Sequence, residues 1–536
     1  MRSAAPILID AAGVDRRLYA TAQERPLSTP PTPASPAAAA ILNRDDVVLH
    51  RGRLALVNVS LTPHEAMVAD LLAVRSVLDA CSIEYLLVRG NDLRPVLAVD
   101  GASRDSLERA LAGELALEPF YARSVDTKKE TVLLADGSLA KDPAARILRL
   151  FRPRVEPGGG LYYGAAWGVQ IELWNFSPTH IELPVENSLT RRSIGRREAA
   201  RSSVELYGQV WPTIENMFID QVFDIRFEID MVFSWVDGST QEYRTARREL
   251  EAGALLGEGD DHESRFRHLD ELKYSLRSVH MFAPWVRHIF IATDSPAPIW
   301  LADHPRVTLV RSREHFADPS VLPTHNSMAV ESQLHHIEGL SEHFLYSNDD
   351  MFFGRPLGPD LFFTPGGITR FMLSPTRIGL GETDAERSGF ENSARVNRRL
   401  LWDRFGAFTT HHLEHSAAPL RRSVLAELEQ EFAPEFAATA ASTFRAAGNI
   451  SVTNSLYHYY ALLTGRAVMH TNARGVYVDT ASTAGLASLE SILARRNADF
   501  LCLNDGSFGN VTHDERRAAV TDFLERYFPF RAPWEK

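Results

Sequence analysis

Residues 322–357 read LPTHNSMAVESQLHHIEGLSEHFLYSNDDMFFGRPL, and the rest of the chain is interpreted outward from them. A loop rich in Pro, Thr, Asn and Ser leads into a helical spacing, with Val330, Leu334 and Ile337 four and three residues apart. Gly339 interrupts it, and HFLYS then reads as a short buried strand. That strand runs directly into Asn348, Asp349 and Asp350, followed by the aromatic pair Phe352 and Phe353. Two adjacent carboxylates beyond a buried strand are costly unless a cation sits beside them. In open α/β sheets ligands bind at the carboxyl ends of strands, and divalent metals with oxygen ligands bridge carboxylates to phosphates. The competing reading is a surface turn, since Asp and Asn favour turns for reasons of their own.

The neighbouring segments decide between the two. IDMVFSWVD (229–237) is a buried strand that ends at Asp237, and RHIFIATD (287–294) is another that ends at Asp294. RVTLVRSREHF (306–316) looks like a further strand. Between them lies a helix with Leu272, Leu276 and Val279 on one face. Strands alternating with helices predict an α/β fold, a mainly parallel, Rossmann-like sheet flanked by helices. Three buried strands each ending in an acid are more economically explained by one shared polar site than by three unrelated turns.

A chain of 536 residues is too long for one ordinary core, so two or more domains are expected. Residues 1–43 end in a Pro/Ala/Ser/Thr tract and read as a disordered tail. Residues 44–190 alternate short strands and helices and read as a separate N-terminal α+β domain, with 191–225 as a basic linker. The catalytic sheet is expected over 226–480, and 481–536 as a helical extension packed on it. The formal net charge of −12 argues against sequence-independent nucleic-acid binding. Only two cysteines occur, Cys81 and Cys502, which excludes a disulfide framework or a Cys-rich zinc site and suits a reducing compartment. No apolar run reaches the roughly 18 residues of a membrane span, and no secretory signal is visible. The expectation is a cytoplasmic protein, with attachment to a membrane assembly through partners left open.

His411, His412 and His415 precede Arg421 and Arg422. Spacing of four would suit a helical zinc site, but Pro419 and the turn-like residues around it argue against a helix there. A histidine accepting a proton from a hydroxyl near neutral pH is the better reading. Arginines near loop ends, Arg267, Arg422 and Arg445 among them, suit bidentate phosphate recognition. No Walker loop or dinucleotide fingerprint is present, so a phosphate would be held by metal and arginine.

Four blocks in order resemble the Stealth family, which includes bacterial capsule phosphotransferases and the catalytic precursor of the lysosomal N-acetylglucosamine-1-phosphotransferase. They are IDMVFSWVDGST, RFRHLDELKYSLRSVHMFAPWVRHIFIATD, the opening stretch from LPTHNSMAVES to NDDMFFGRP, and the segments around HHLEHSAAPLRRSVL and FRAAGNIS. The resemblance spans residues 229–470, with departures at His268 and Asn449. It implies transfer of a sugar-1-phosphate from a UDP-sugar to a glycan hydroxyl, with release of UMP. It implies His415, Arg445, Glu331 and Asp350 as catalytic residues. Asp349 and Asp350 would hold a divalent metal, Mg²⁺ or else Mn²⁺. Asp237, Arg267, Asp270, Asn326, Ser327 and Arg422 are the expected substrate contacts. His415 is taken over His411 and His412 by resemblance alone. Two rivals stand beside this reading: a metal-dependent nucleotide-sugar glycosyltransferase, and a non-catalytic glycan-binding protein using aromatic residues such as Trp235 and Tyr459.

Overall fold

The computed structural model describes residues 35–128, 130–158, 160–251, 257, 269–470, 473–506 and 509–536. In the N-terminal half, the strand Val169–Phe176 is the hub of an eight-stranded mixed sheet. Pro95–Asp100 runs parallel to it on one side, and Ile147–Phe151 runs antiparallel on the other. The helices Pro63–Ala80 and Arg104–Glu114 cover this sheet, burying Leu71, Val74, Leu78, Leu107 and Leu111 against Leu97, Leu148 and Ile171. Thr62 and Glu65 form a capping box at the start of the first helix, satisfying backbone donors there. Asp70 on that helix is buried and fully engaged, accepting from Arg152 Nε and Arg154 Nη2 at 2.7 Å each.

Two sequence expectations change here. The tail is not structureless to residue 43: Pro36–Leu42 is a helix capped by Ser35, because Ala38 and Ile41 find a small core with Val47 and Leu54. Residues 1–34 lie outside the described ones. Nor is 191–225 simply a linker. Ser193–Gly195 is an edge strand of the N-terminal sheet, and Arg201–Leu206 pairs with Gln209–Ile214 as a hairpin. Trp211 from that hairpin is fully buried in the N-terminal core, and Thr213 Oγ1 donates to the Leu87 carbonyl at 2.6 Å.

Eight strands frame the C-terminal half: β1 (Ile229–Ser234), β2 (Ile289–Ala292), β3 (Val307–Val310), β4 (His343–Asn348), β5 (Met351–Phe353), β6 (Ala418–Arg421), β7 (Gly475–Asp479) and β8 (Phe500–Asn504). The helices of this half include α1 (Glu271–Phe282), α2 (Ser327–Glu331), α3 (Arg422–Glu431) and α4 (His513–Tyr527). The central sheet has the order β3-β2-β1-β4-β6, parallel except for β6. The α/β expectation therefore holds. β1, β2 and β4 end side by side because they are parallel in neighbouring register. The helical spacing of Val330, Leu334 and Ile337 is realised differently, as α2 followed by a separate 3₁₀ turn, Leu334–His336.

The C-terminal segment carries the helices Thr483–Arg495 and α4, and also a strand, β8, where the sequence reading expects only a helical extension. β8 inserts between β5 and β7, antiparallel to the first and parallel to the second. The apolar faces of β5 and β8 explain this: Phe352, Phe353, Phe500 and Leu501 share one core with Phe523, Tyr527 and Phe528 of the chain's last helix and its exit. That core also takes in Leu161 and Tyr163 from the N-terminal half. Arg496 ties the junction, donating through Nη1 to the Tyr527 carbonyl at 3.0 Å and through Nη2 to the Arg526 carbonyl at 2.6 Å, with Nε on the Gly160 carbonyl. Gly160 is required by the close approach: a Cβ there would stand 2.3 Å from the Arg526 carbonyl oxygen. No helix among the described residues is long and apolar enough to cross a membrane.

Candidate active site

The turn after β4 is held from beneath. Ser275, buried on α1, points its hydroxyl between the Asp349 and Met351 carbonyls at 2.6 and 2.8 Å. The Leu503 N–H donates to the Asp350 carbonyl at 3.0 Å. These contacts fix where the two adjacent carboxylates project. Asp350 Oδ2 faces Cys502 Sγ at 3.8 Å, while Oδ1 is buried with no hydrogen-bond partner. Burial, reinforced by the negative charge of Glu271, pushes the Asp350 carboxyl up to about 6. Arg516 of α4 is buried alongside, 3.5 Å from Glu271 Oε1 and 3.4 Å from Asp505 Oδ1, with Nε also donating to Thr480 Oγ1 at 2.8 Å. A buried carboxylate oxygen without a donor, beside a second buried acid, is a donor set that fits a hard divalent cation.

A second polar group lies at the same end of β4. Glu331 is buried at the end of α2 and accepts from Thr453 Oγ1 at 2.6 Å. Burial raises its pKa, opposed by Thr453 and by the charge of Arg445. Arg445 Nη2 donates to Ser327 Oγ at 2.9 Å, which aims the guanidinium across the first turn of α2. Thr453 sits in a π-helical turn, Val452–Leu456, a backbone form common at functional sites. The buried Tyr346 hydroxyl donates to Asn348 Oδ1 at 2.9 Å and lies 2.7 Å from Ser234 Oγ, linking this group to the strand ends. Burial and the Glu331 charge push the Tyr346 phenol well up, so it stays a neutral donor.

The three histidines separate. His411 turns toward Thr410 and Arg377, with Nδ1 at 2.8 and 3.3 Å from their side chains. His412 stacks on Phe390 with ring centroids 4.5 Å apart. His415 packs against Tyr477 at 5.2 Å. Tyr477 is paired in register with Cys502 across β7 and β8, and feels the charge of Asp350. His415 is thus the histidine that packs on β7. The residue is exposed, and partial desolvation of its ring lowers its pKa.

Other expected contacts fall differently. Asp237 lies three residues beyond the end of β1 rather than on it, its N–H donating to Ser295 Oγ at 2.8 Å and its Oδ1 accepting from the Ser239 N–H at 3.0 Å. Asp294 is exposed and accepts from the Ser312 N–H at 2.9 Å, so it starts a helical turn rather than joining the carboxylates. Arg422 is not at the site. β6 runs antiparallel to β4, placing residue 421 opposite His343, and Arg422 caps the carbonyls of His335 and Leu340 at 3.2 and 2.8 Å at the far end of the sheet. Asn326 is buried and spends its amide inside the protein, Nδ2 on Asn449 Oδ1 at 2.9 Å and Oδ1 on the Met328 N–H at 3.1 Å. It builds the site by holding the loop that carries Arg445, and does not face a ligand. Asp270 is exposed, with a left-handed backbone (φ 60°) and its carboxylate on Trp300 Nε1 at 3.1 Å; the acid turned to Asp350 is the next residue, Glu271. Arg267 lies outside the described residues.

Glu271, Ser275, Cys502 and Arg516 were not anticipated. One signal was available: FLCLND (500–505) repeats the pattern of FLYSND (344–349), a second buried strand ending in Asn-Asp.

Residues 265–371, 414–462 and 490–536 match, in turn, Stealth protein conserved regions 2, 3 and 4. These three regions supply Glu271, Glu331, Asp349 and Asp350, then His415 and Arg445, then Cys502 and Arg516. The exopolysaccharide phosphotransferase CpsY of Mycobacterium tuberculosis (strain ATCC 25618 / H37Rv) is 56% identical over 491 residues, covering 91% of this chain and 92% of that protein. The exopolysaccharide phosphotransferase of Nocardia farcinica (strain IFM 10152) is 52% identical over 477 residues, 89% of each chain. Among solved structures, the galactosyltransferase LgtC with donor and acceptor sugar analogs aligns at 12% identity and a TM-score of 0.29, over 56% of this chain and 96% of that one. That overlap is too slight to bear on the fold.

Proposed function

This chain belongs to the Stealth family, and from that premise we propose that it is a phosphotransferase carrying a sugar-1-phosphate from a UDP-sugar to a hydroxyl of an exopolysaccharide. The observation that carries the reading is Tyr346 near the end of β4, whose buried phenol feels the charges of both Glu331 and Asp349 and so brings the Glu331–Arg445 group beside the Asp349–Asp350 turn. In the reaction the acceptor oxygen bonds to the sugar-bearing phosphorus, the bond from that phosphorus to UMP breaks, and the hydroxyl proton is taken up by the enzyme.

His415 is the group for that proton: its lowered pKa keeps the imidazole neutral and able to accept near pH 7. Arg445, held by Ser327, presents a guanidinium to phosphoryl oxygens as charge spreads over them. Glu331 has Thr453 and Arg445 around it rather than a histidine, so its role is to position Arg445. Asp349 and Asp350, with Glu271 behind, would hold a divalent cation, most simply Mg²⁺, which when bound neutralises the donor diphosphate. Ser275 keeps the backbone of that turn in place, and Arg516 limits the mutual repulsion of the acids. The two cysteines, neither in a disulfide, agree with a cytoplasmic reaction.

The test uses purified protein, Mg²⁺, a panel of UDP-sugars and short glycan acceptors, with the released nucleotide identified. UMP together with a phosphodiester-linked product is expected. Release of UDP would make the chain a glycosyltransferase instead, and no acceptor-dependent release would leave only binding.

A further inference from the structure

A second set of metal-type ligands lies away from the carboxylates, where β4 begins rather than ends. The 3₁₀ turn Leu334–His336 faces α3 across the edge of the sheet. His335 Nε2 is 2.8 Å, and His336 Nε2 3.0 Å, from the same oxygen, Oε2 of Glu429. The two imidazole rings lie 4.0 Å apart at their centroids and converge on one point. All three ligand atoms fall within 4.8 Å of one another, and among the described residues no other group of three His, Cys, Asp or Glu side chains is gathered as closely.

The surroundings are built for it. Glu429 Oε1 accepts from Gln333 Nε2 at 3.3 Å, and Gln333 Oε1 in turn accepts from the Ala317 N–H at 3.0 Å, so the carboxylate is oriented from behind. Arg422 donates to the His335 carbonyl at 3.2 Å and pins the turn to α3. A further buried imidazole, His315, is near enough to His336 for their charges to interact, and its Nε2 has no hydrogen-bond partner. His335 is buried while His336 is exposed, which gives an ion a way in.

We propose that His335, His336 and Glu429 form a binding site for a divalent transition-metal ion, zinc by its ligand type, distinct from the catalytic carboxylates. Two imidazoles and one carboxylate with a further position for water or His315 is a recurrent zinc arrangement. It differs in kind from the all-oxygen site at Asp350, which favours hard ions. The ion would staple the turn before β4 to α3.

The experiment titrates Co²⁺ into the chelator-stripped full chain and follows visible absorption. One equivalent is expected to give an intense band of tetrahedral type that Zn²⁺ bleaches and Mg²⁺ does not. Asp350→Asn should keep the band, which separates this site from the proposed catalytic one. His336→Ala, at an exposed position that spares the fold, should weaken Co²⁺ by more than about 100-fold, beyond the roughly 10–100-fold that losing a supporting hydrogen bond costs. Glu429→Gln should act likewise. Absence of the band in the unmodified chain, or an undiminished band in a folded His336→Ala protein, would overturn the proposal.

Discussion

Asp70 and Asp350 are two acids taken out of water by the same chain, one in each half, and they are treated in opposite ways. Asp70 receives two guanidinium hydrogen bonds and the Arg152 backbone N–H at 2.9 Å. Asp350 has a weak thiol contact on one oxygen and none on the other, with a further acid nearby. Breaking a buried pair leaves an uncompensated charge and costs stability. An unsatisfied buried carboxylate already bears that cost, and is relieved of it either by taking up a proton or by a ligand cation. The first arrangement supports a fold, and the second is the kind that the proposed cation site requires.

The sharpest way to break this comparison is to neutralise each acid in turn. Asp350→Asn should lower transfer by about 10³-fold or more, since it removes the anchor for several kcal/mol of charge neutralisation, while the protein stays folded. Asp70→Asn should cost roughly 3–5 kcal/mol of stability and leave the rate per folded molecule unchanged. Initial rates together with urea unfolding check both. An active Asp350→Asn protein, or a folded but inactive Asp70→Asn protein, would erase the distinction.

Next in size, His415→Ala should reduce kcat by roughly 10²–10⁴-fold, with His411→Ala and His412→Ala close to the parent. Loss of activity in His411→Ala alone would assign the proton to His411 instead.

The comparison sharpens with pH in metal-free protein. The Asp350 carboxyl is raised in the fold to about 6 from an ordinary aspartate value of 3.8, so between those values the native state holds a proton that the unfolded chain has released. Its contribution to stability is therefore full below about pH 4 and is lost as pH rises through about 6. With a chelator present, the stability difference between the parent and Asp350→Asn should shift by roughly 2–3 kcal/mol from about pH 4 to pH 7. A flat difference in urea midpoints would contradict the raised carboxyl. Smallest of all, Ser275→Ala should cost about 1 kcal/mol of stability and raise the Mg²⁺ requirement, read from rates across Mg²⁺ concentrations.

The sheet and its carboxylates were legible because they are local signals. A buried run, a polar stop and paired acids all fall within residues 343–350. Glu331, Arg445 and His415 came from resemblance, since nothing in a lone Glu on a short helix announces a role. Glu271 was missed by one position: Asp270 sits where a helix cap is expected, but its left-handed backbone turns it outward and leaves Glu271 facing inward. Arg422 reads in the sequence as an arginine near a loop end, but residues 418–421 form the antiparallel strand β6, which nothing in the local pattern announces and which sends it to the opposite end of the sheet. Cys502 and Arg516 meet Asp350 and Glu271 across more than a hundred residues, a separation that periodicity and capping rules do not reach.

The place of β8 between β5 and β7 has a consequence for how the molecule is made. Asp349 and Asp350 are synthesised well before Phe500, yet the strand that walls Asp350 and the arginine that balances Glu271 come afterwards. A nascent chain halted ahead of Phe500 would expose Phe352 and Phe353 on an unpaired edge, an invitation to chaperones and proteases. Late stop codons in this gene should therefore behave as full losses of protein, not as mild truncations.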